Sequence, residues 1–349
     1  VLLSHLSHLC SVYVLYFLTK GLYANSDNGK LVALCAALLH TLSPAGVFLS
    51  APYTESLFSL LNITGFALYL QGMNRISGHA TPSQRLQVVI AGLIFGFATI
   101  IRSNGLLSGL PFLYDAVARS WAIANHGFSK RRLYDLGALV LGGMLVLSGL
   151  LIPQIFAYRA YCMDSVAGVR QPWCTRALPS IYAWVQERYW YVMISFTGAL
   201  ANRSRVNGFL RYWTISNIPL FLLAAPMLLI LSYTAFQVLW PDILSDNRTS
   251  SGKGANREIT VLDEGGFVRL AIPQLVLAVL AFFVYNVQII TRLSSGYPLW
   301  YIWLAEHVVV FSELGTKKKS FLRGRYVFRF MIMYAIIQGG LFASFLPPA

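Results

Sequence analysis

The sequence predicts an all-α membrane protein that crosses the bilayer several times, and three observations carry that expectation. Hydrophobic residues make up 56% of the 349-residue chain and charged residues only 11%, against about 25% charged in an ordinary soluble domain. The mean hydropathy is +0.60. The apolar residues are also gathered into runs of the length a bilayer demands, because a hydrocarbon core of about 30 Å takes roughly 20 residues of helix. These features exclude a soluble globular protein. They also exclude a nucleic-acid binder, despite a net charge of +14, because the bases lie between apolar runs and not on one polar domain. Four cysteines in so long a chain do not make a disulfide scaffold. The chain opens on Val1 and enters an apolar run at once, which is read as the lack of its natural N-terminus.

The candidate spans, in order, are Leu2 to Thr19, Leu31 to Leu49, Leu57 to Leu70, Leu136 to Tyr158, Ile218 to Trp240, Leu270 to Ile290 and Tyr326 to Leu346. Val88 to Ala118 is too long for one span and is interrupted by Arg102-Ser103-Asn104-Gly105, so it is read as two short helices joined by that turn. Leu299 to Leu314 is short and carries Glu306 and His307, but the topology needs it as a crossing. The expectation is therefore roughly nine or ten membrane segments.

Basic loops favour the cytoplasm. Ser129-Lys130-Arg131-Arg132 and the stretch from Lys317 to Arg329, which has bases and no acid, are the two clear anchors. Counting crossings from them divides the chain into N-terminal spans over 1–158, a lumenal loop region over 159–217, and C-terminal spans over 218–349 with cytoplasmic loops at 241–268 and 316–325. The turns at 50–56 and 102–105 then face the lumen. Of the three glycosylation sequons, Asn62-Ile63-Thr64 lies inside a span and Asn247-Arg248-Thr249 on the cytoplasmic side, which leaves Asn202-Arg203-Ser204 as the lumenal one. Ser245 to Asn256 reads as a flexible cytoplasmic loop. Cys162 and Cys174 share the lumenal region, a compartment that permits them to pair.

Ionisable residues at the membrane edge are functional candidates by default. Glu55 is the only carboxylate between Asp27 and Asp115. Two readings stand for it: a general base in a partly desolvated turn, or a first-turn acid favoured by the dipole of the helix that follows. Arg102 is either an interfacial anchor or a ligand for an anion such as phosphate, and Asn104 either belongs to the same site or only makes the turn. The lumenal stretch around Trp173, Tyr182, Tyr189 and Trp190 is dense in aromatics and bases, as in an interface belt or a sugar and phosphate site. Glu306 and His307 are a further acid and base pair, with packing as the plainer reading for the histidine. The sequence holds no Gly-rich nucleotide loop, zinc-ligand spacing or nucleophile elbow.

Taken together, the turns carry a resemblance. Ser43-Pro44-Ala45-Gly46-Val47-Phe48-Leu49-Ser50-Ala51-Pro52-Tyr53-Thr54-Glu55-Ser56-Leu57-Phe58, Arg102-Ser103-Asn104-Gly105, Pro172-Trp173-Cys174, Ile181-Tyr182 with Gln186, Tyr189-Trp190, Gly208-Phe209-Leu210-Arg211-Tyr212-Trp213 and Phe345-Leu346-Pro347 resemble, in this order, the GPI mannosyltransferase 2 family. The resemblance implies a multi-span GT-C glycosyltransferase of the endoplasmic reticulum. Such an enzyme adds the second, α1,6-linked mannose of a GPI precursor from dolichyl phosphate mannose, without a cofactor and beside a small membrane-anchored accessory subunit. It implies that Glu55 takes part in catalysis, that Arg102 meets the donor phosphate, that Tyr53 and Asn104 line the pocket, and that Trp173, Arg211, Tyr212 and Trp213 cover it.

Two departures accompany the resemblance. The family's first lumenal loop, with a Trp-Asp motif whose aspartate is the expected base, would precede Leu2, and Tyr191 to Asn207 stands where the family runs almost directly from Tyr-Trp to a Gly-Phe-Leu-like segment. A catalytically inactive structural subunit of a GPI-assembly complex is the second reading. A lipid or solute transporter is the third, although neither mid-span charges nor repeat-related broken helices support it. The topology is tested by cysteine-accessibility labelling of Ser129→Cys and Ser180→Cys variants in sealed microsomes. Ser129→Cys should label from outside and Ser180→Cys only after permeabilisation, and labelling of both from one side contradicts the crossing count.

Overall fold

The structure, a computed structural model, describes residues 1–73, 80–163, 171–185, 213, 215–241, 261–284, 287–314 and 318–344. Among them the ordered elements are all helical. In chain order the α-helices are α1 (Leu2–Leu22), α2 (Gly29–Thr41), α3 (Gly46–Ser50), α4 (Glu55–Met73), α5 (Pro82–Ile101), α6 (Leu110–His126), α7 (Lys130–Tyr158), α8 (Ile218–Leu239), α9 (Val261–Phe283), α10 (Ile290–Leu293), α11 (Leu299–Leu314) and α12 (Lys318–Ala343). Six helical stretches among the described residues are long and apolar enough to cross a membrane: Leu2–Leu22, Pro82–Ile101, Lys130–Met163, Ile218–Leu239, Gly265–Phe283 and Tyr326–Ala343.

The expected break inside Val88 to Ala118 is present. Helix α5 stops at Ile101, Arg102 takes an extended backbone (φ −145°, ψ 125°), and a 3-10 turn over Ser103–Gly109 leads into α6. Gly105 is required there by close approach, since a Cβ on it would lie 2.7 Å from the Thr99 nitrogen. Leu299–Leu314 is one helix, as its apolar run suggests.

Other boundaries move. The expected span Leu31 to Leu49 divides into α2 and α3, because Pro44 has no N–H to donate and disfavours helical geometry in Ser43 before it. Helix α9 begins at Val261 and not at Leu270, so the last residues of the expected 241–268 loop are helical. It ends at Phe283, and at the far end of the expected span Val287–Ile289 form a 3-10 turn followed by α10. Helix α12 starts at Lys318, so most of the expected 316–325 loop is helical as well. Lysine and arginine are good helix formers, and a basic stretch outside the bilayer need not be a loop. At the start of the 159–217 region, a π-helical turn over Arg159–Met163 continues α7.

Helix α4 is the centre of the bundle. It packs on α1 and α5, and buried residues run along its length on every side, from Glu55 and Ser56 through Phe58, Ser59, Asn62, Ile63, Phe66 and Tyr69 to Met73. Its 19 residues are enough for a span, yet it is not among the six apolar stretches. A helix shielded by neighbours does not meet lipid and can carry serine, asparagine and glutamate inward. Near its far end the Tyr69 hydroxyl lies 2.6 Å from Asp115 Oδ2, and Arg269 grips the same carboxylate with Nε and Nη2, each at 2.7 Å. This cluster joins α4, α6 and α9 with the buried charge paired, as a low-dielectric interior demands.

Small residues set the α5–α7 contact. A Cβ on Gly149 would lie 2.2 Å from the Gly96 carbonyl oxygen, and one on Gly92 would lie 2.5 Å from Gly142 Cα. The two backbones touch, as in small-xxx-small membrane packing. Gly149→Ala should therefore lower the thermal unfolding midpoint in detergent, at a cost of about 1–3 kcal/mol, whereas Gly137→Ala, whose Cβ meets nothing within 4 Å, should not. Equal behaviour of the two variants contradicts the contact.

Candidate functional site

The site begins where the chain turns into α4. Ala51 has an extended backbone (ψ 164°), which ends α3, and the Phe58 N–H bonds back to the Thr54 carbonyl at 2.9 Å to start the next helix. Glu55 is the first residue of α4, and its side chain is only 1% exposed.

Two arginines from distant parts of the chain converge on it. Arg102 Nη1 lies 2.8 Å from Glu55 Oε1 and donates to Thr54 Oγ1 at 3.1 Å. Arg292 comes from α10, 237 residues away in sequence, and reaches the same Oε1 with Nε at 2.8 Å and also with Nη2. Its guanidinium lies over the Phe48 ring, 4.0 Å from the centroid, and 5.1 Å from that of Tyr53. Two cations and one anion leave a net positive charge. The arginine side chains remain 19% and 21% exposed while the carboxylate is buried. Each guanidinium has five N–H donors, so edges not used by Glu55 remain for a planar anion such as phosphate.

Two further polar atoms complete the arrangement. Glu55 Oε2 and Asn104 Nδ2 are buried and have no hydrogen-bond partner among the described residues, a costly state unless a ligand satisfies them. Asn104 is 8% exposed and is the second residue of the 3-10 turn after Arg102. Its carbonyl accepts from the Tyr297 hydroxyl at 3.3 Å, which ties the Arg102 segment to the segment following Arg292.

Of the residues singled out in the sequence, the structure thus gathers Glu55, Arg102 and Tyr53 at one place, with Asn104 two residues along the chain from Arg102. Tyr53 is 41% exposed, packed between Phe48 and Phe342 beside Arg292. Among the described residues, the contacts of the two tryptophans are with other partners. Trp173 is buried against Tyr158, next to the Cys162–Cys174 disulfide. Trp213 donates to the Phe282 carbonyl at 3.0 Å and packs on Phe221 and Phe282, where α8 and α9 meet. Arg211 and Tyr212 lie outside the described residues. The 171–185 segment does approach through Tyr182, whose hydroxyl is 2.7 Å from Ser103 Oγ, next to Arg102. His307 bonds through Nδ1 to its own helix at the Trp303 carbonyl, at 2.8 Å, and stacks on that ring, the packing role that was the plainer expectation for it.

Arg292 was missed by sequence reasoning, although a signal existed. Arg102-Ser103-Asn104-Gly105 and Arg292-Leu293-Ser294-Ser295-Gly296 both open with an arginine after an apolar run and pass into small residues and glycine.

The whole chain, residues 1–349, matches the family model described as Mannosyltransferase (PIG-V). Among curated relatives, GPI mannosyltransferase 2 of Aspergillus oryzae is 41% identical across the whole of this chain and 74% of its own length. The protein of that name from Aspergillus fumigatus is 42% identical over 99% of this chain and 74% of its own length. That of Yarrowia lipolytica is 33% identical over the whole chain and 74% of its own length. No solved structure matches.

Glu55 separates two guanidiniums that would otherwise repel. Glu55→Ala should therefore destabilise the chain by about 3–5 kcal/mol, measured as thermal unfolding in detergent. Adding Arg292→Ala should cost less than the sum of the single changes. An unchanged midpoint for Glu55→Ala contradicts the shared ion pair.

Proposed function

The chain belongs to the PIG-V mannosyltransferase family, and from that premise we propose that it transfers the second mannose, in α1,6 linkage, from dolichyl phosphate mannose to a GPI-anchor precursor at the lumenal face of the endoplasmic reticulum membrane. The observation that carries the reading is the Glu55–Arg102–Arg292 cluster at the end of α4 that the charge count assigns to the lumen.

The reaction breaks the bond between mannose C1 and the phosphate oxygen of the donor. It forms a bond from C1 to the acceptor hydroxyl oxygen, whose proton leaves to a base. Negative charge grows on the departing dolichyl phosphate, and preorganised cations facing that charge lower the barrier. Arg102 and Arg292 fill this role, each holding the phosphate with edges not used by Glu55. Asn104, two residues after Arg102, offers its Nδ2 as a further donor, with no partner among the described residues.

The role proposed for Glu55 is narrower than the catalytic part expected from the sequence. Its Oε1 is engaged by both arginines, so it acts through them as a positioning residue. Tyr53, partly exposed beside Arg292, offers an aromatic edge to a sugar. In this scheme the lipid phosphate is the leaving group and no cofactor takes part. A small membrane-anchored accessory subunit is a proposed partner on the family resemblance alone.

The test is complementation of a cell lacking second-mannose transfer, using the full-length protein. Arg102→Ala and Arg292→Ala should each lower the transfer rate about 10²–10³-fold while the protein remains in the membrane at normal abundance. Normal GPI anchoring with either variant overturns the phosphate role and favours the structural-subunit reading, which is indifferent to both arginines.

A further inference from the structure

Asn62 lies two turns below Glu55 on α4 and is fully buried. Positions 55, 59 and 62 fall on one face of a helix. The side chains at the two lower positions are aimed at the segments that bear the arginines. Asn62 Nδ2 donates to the Gly296 carbonyl at 2.9 Å, four residues after Arg292. Its Oδ1 accepts from Ser108 Oγ at 2.6 Å, in the 3-10 turn that starts immediately after Arg102. One amide thus holds both segments.

Neighbouring contacts make the hold specific. Ser59 Oγ donates to the Ser295 carbonyl at 2.9 Å, and His40 Nε2 lies 3.0 Å from the same hydroxyl. Helix α4 therefore grips two successive carbonyls of the turn after Arg292. Ser295 in turn donates through Oγ to the Arg292 carbonyl at 2.8 Å, so the grip reaches the arginine itself. The fit leaves no slack: a Cβ on Gly296 would lie 2.6 Å from the Phe58 ring. Asparagine suits the position because it presents a donor and an acceptor on one short planar group. Leucine or aspartate would lose one or both.

We propose that Asn62 is a positioning residue for the two-arginine site, setting the separation of Arg102 and Arg292 at which both reach the donor phosphate. The residue touches no substrate and acts through the segments it joins. The proposal rests on the phosphate role assigned to the arginines above. It also gives the Asn62-Ile63-Thr64 sequon a different meaning, since both polar atoms of its asparagine are engaged inside the bundle.

The experiment measures mannose transfer in microsomes carrying the full-length protein, with donor and acceptor varied separately. Asn62→Ala releases both segments, and Ser108→Ala releases only one, with a smaller volume change should the first variant fold poorly. Each should raise the KM for dolichyl phosphate mannose or lower kcat at saturating donor, by about tenfold for Asn62→Ala and less for Ser108→Ala, while the KM for the acceptor stays unchanged. In an Arg292→Ala background, Asn62→Ala should cost less than in the wild type, because there is no longer a separation of two arginines to set and only the Arg102 segment is left to hold. Equal loss with and without Arg292, or wild-type kinetics in a folded Ser108→Ala variant, overturns the proposal. Full activity of Arg102→Ala and Arg292→Ala would instead overturn the phosphate reading on which it stands, so the two failures are distinct.

Discussion

The rest of the site depends on one carboxylate shared by two guanidiniums. Glu55 is buried at the first turn of α4 and would be costly there alone, while Arg102 and Arg292 would repel each other without it. Together they form a unit with net positive charge, anchored on its buried side and partly open on the other. The anchoring fixes where the cations stand before any ligand arrives, and preorganisation of this kind is what gives electrostatic catalysis its advantage.

Such a unit needs a scaffold that lipid does not touch. Helix α4 supplies it by running through the middle of the bundle, with α1 and α5 against it. The same shielding lets it carry Asn62 and Ser59 toward the arginine-bearing turns, and Tyr69 toward the Asp115–Arg269 pair near its other end. Polar joints thus fasten α4 at both ends and at mid-length, and the α5–α7 contact combines close glycine approaches such as Gly96 with Gly149 with the Arg85–Asp135 ion pair. Membrane helices gain little from burying apolar groups against one another, so joints of these two kinds are what give the bundle its specific arrangement.

Much of the fold was legible because apolar length is a local property of sequence. The break at Arg102, the single helix from Leu299 to Leu314 and the outer spans all follow from it. Boundaries at Pro44 and Lys318 shifted for local reasons as well, a missing donor in one case and good helix formers in the other. The site was legible only in part. Glu55 stood out because carboxylates are scarce in its half of the chain, and Arg102 because it interrupts an apolar run. Arg292 did not, since an arginine closing a span is an ordinary anchor and its partner lies 237 residues away. Trp173 and Trp213 were expected at the pocket from the family resemblance. The contacts that define them, with Tyr158 beside a disulfide and with Phe282 between α8 and α9, are tertiary.

The polar face of α4 reconciles two requirements that sequence patterning treats as opposed. A span must be apolar to enter lipid, and a group-transfer site must hold fixed charge. Placing the charge at the end of a shielded helix meets both. The central claim is that Arg102 and Arg292 together receive the donor phosphate, and a cryo-electron microscopy map of the full-length protein with bound dolichyl phosphate tests it most directly. The account predicts phosphate density within hydrogen-bonding distance of both guanidiniums, with Glu55 still between them. Phosphate density elsewhere in the bundle, with the three side chains undisturbed, would contradict it.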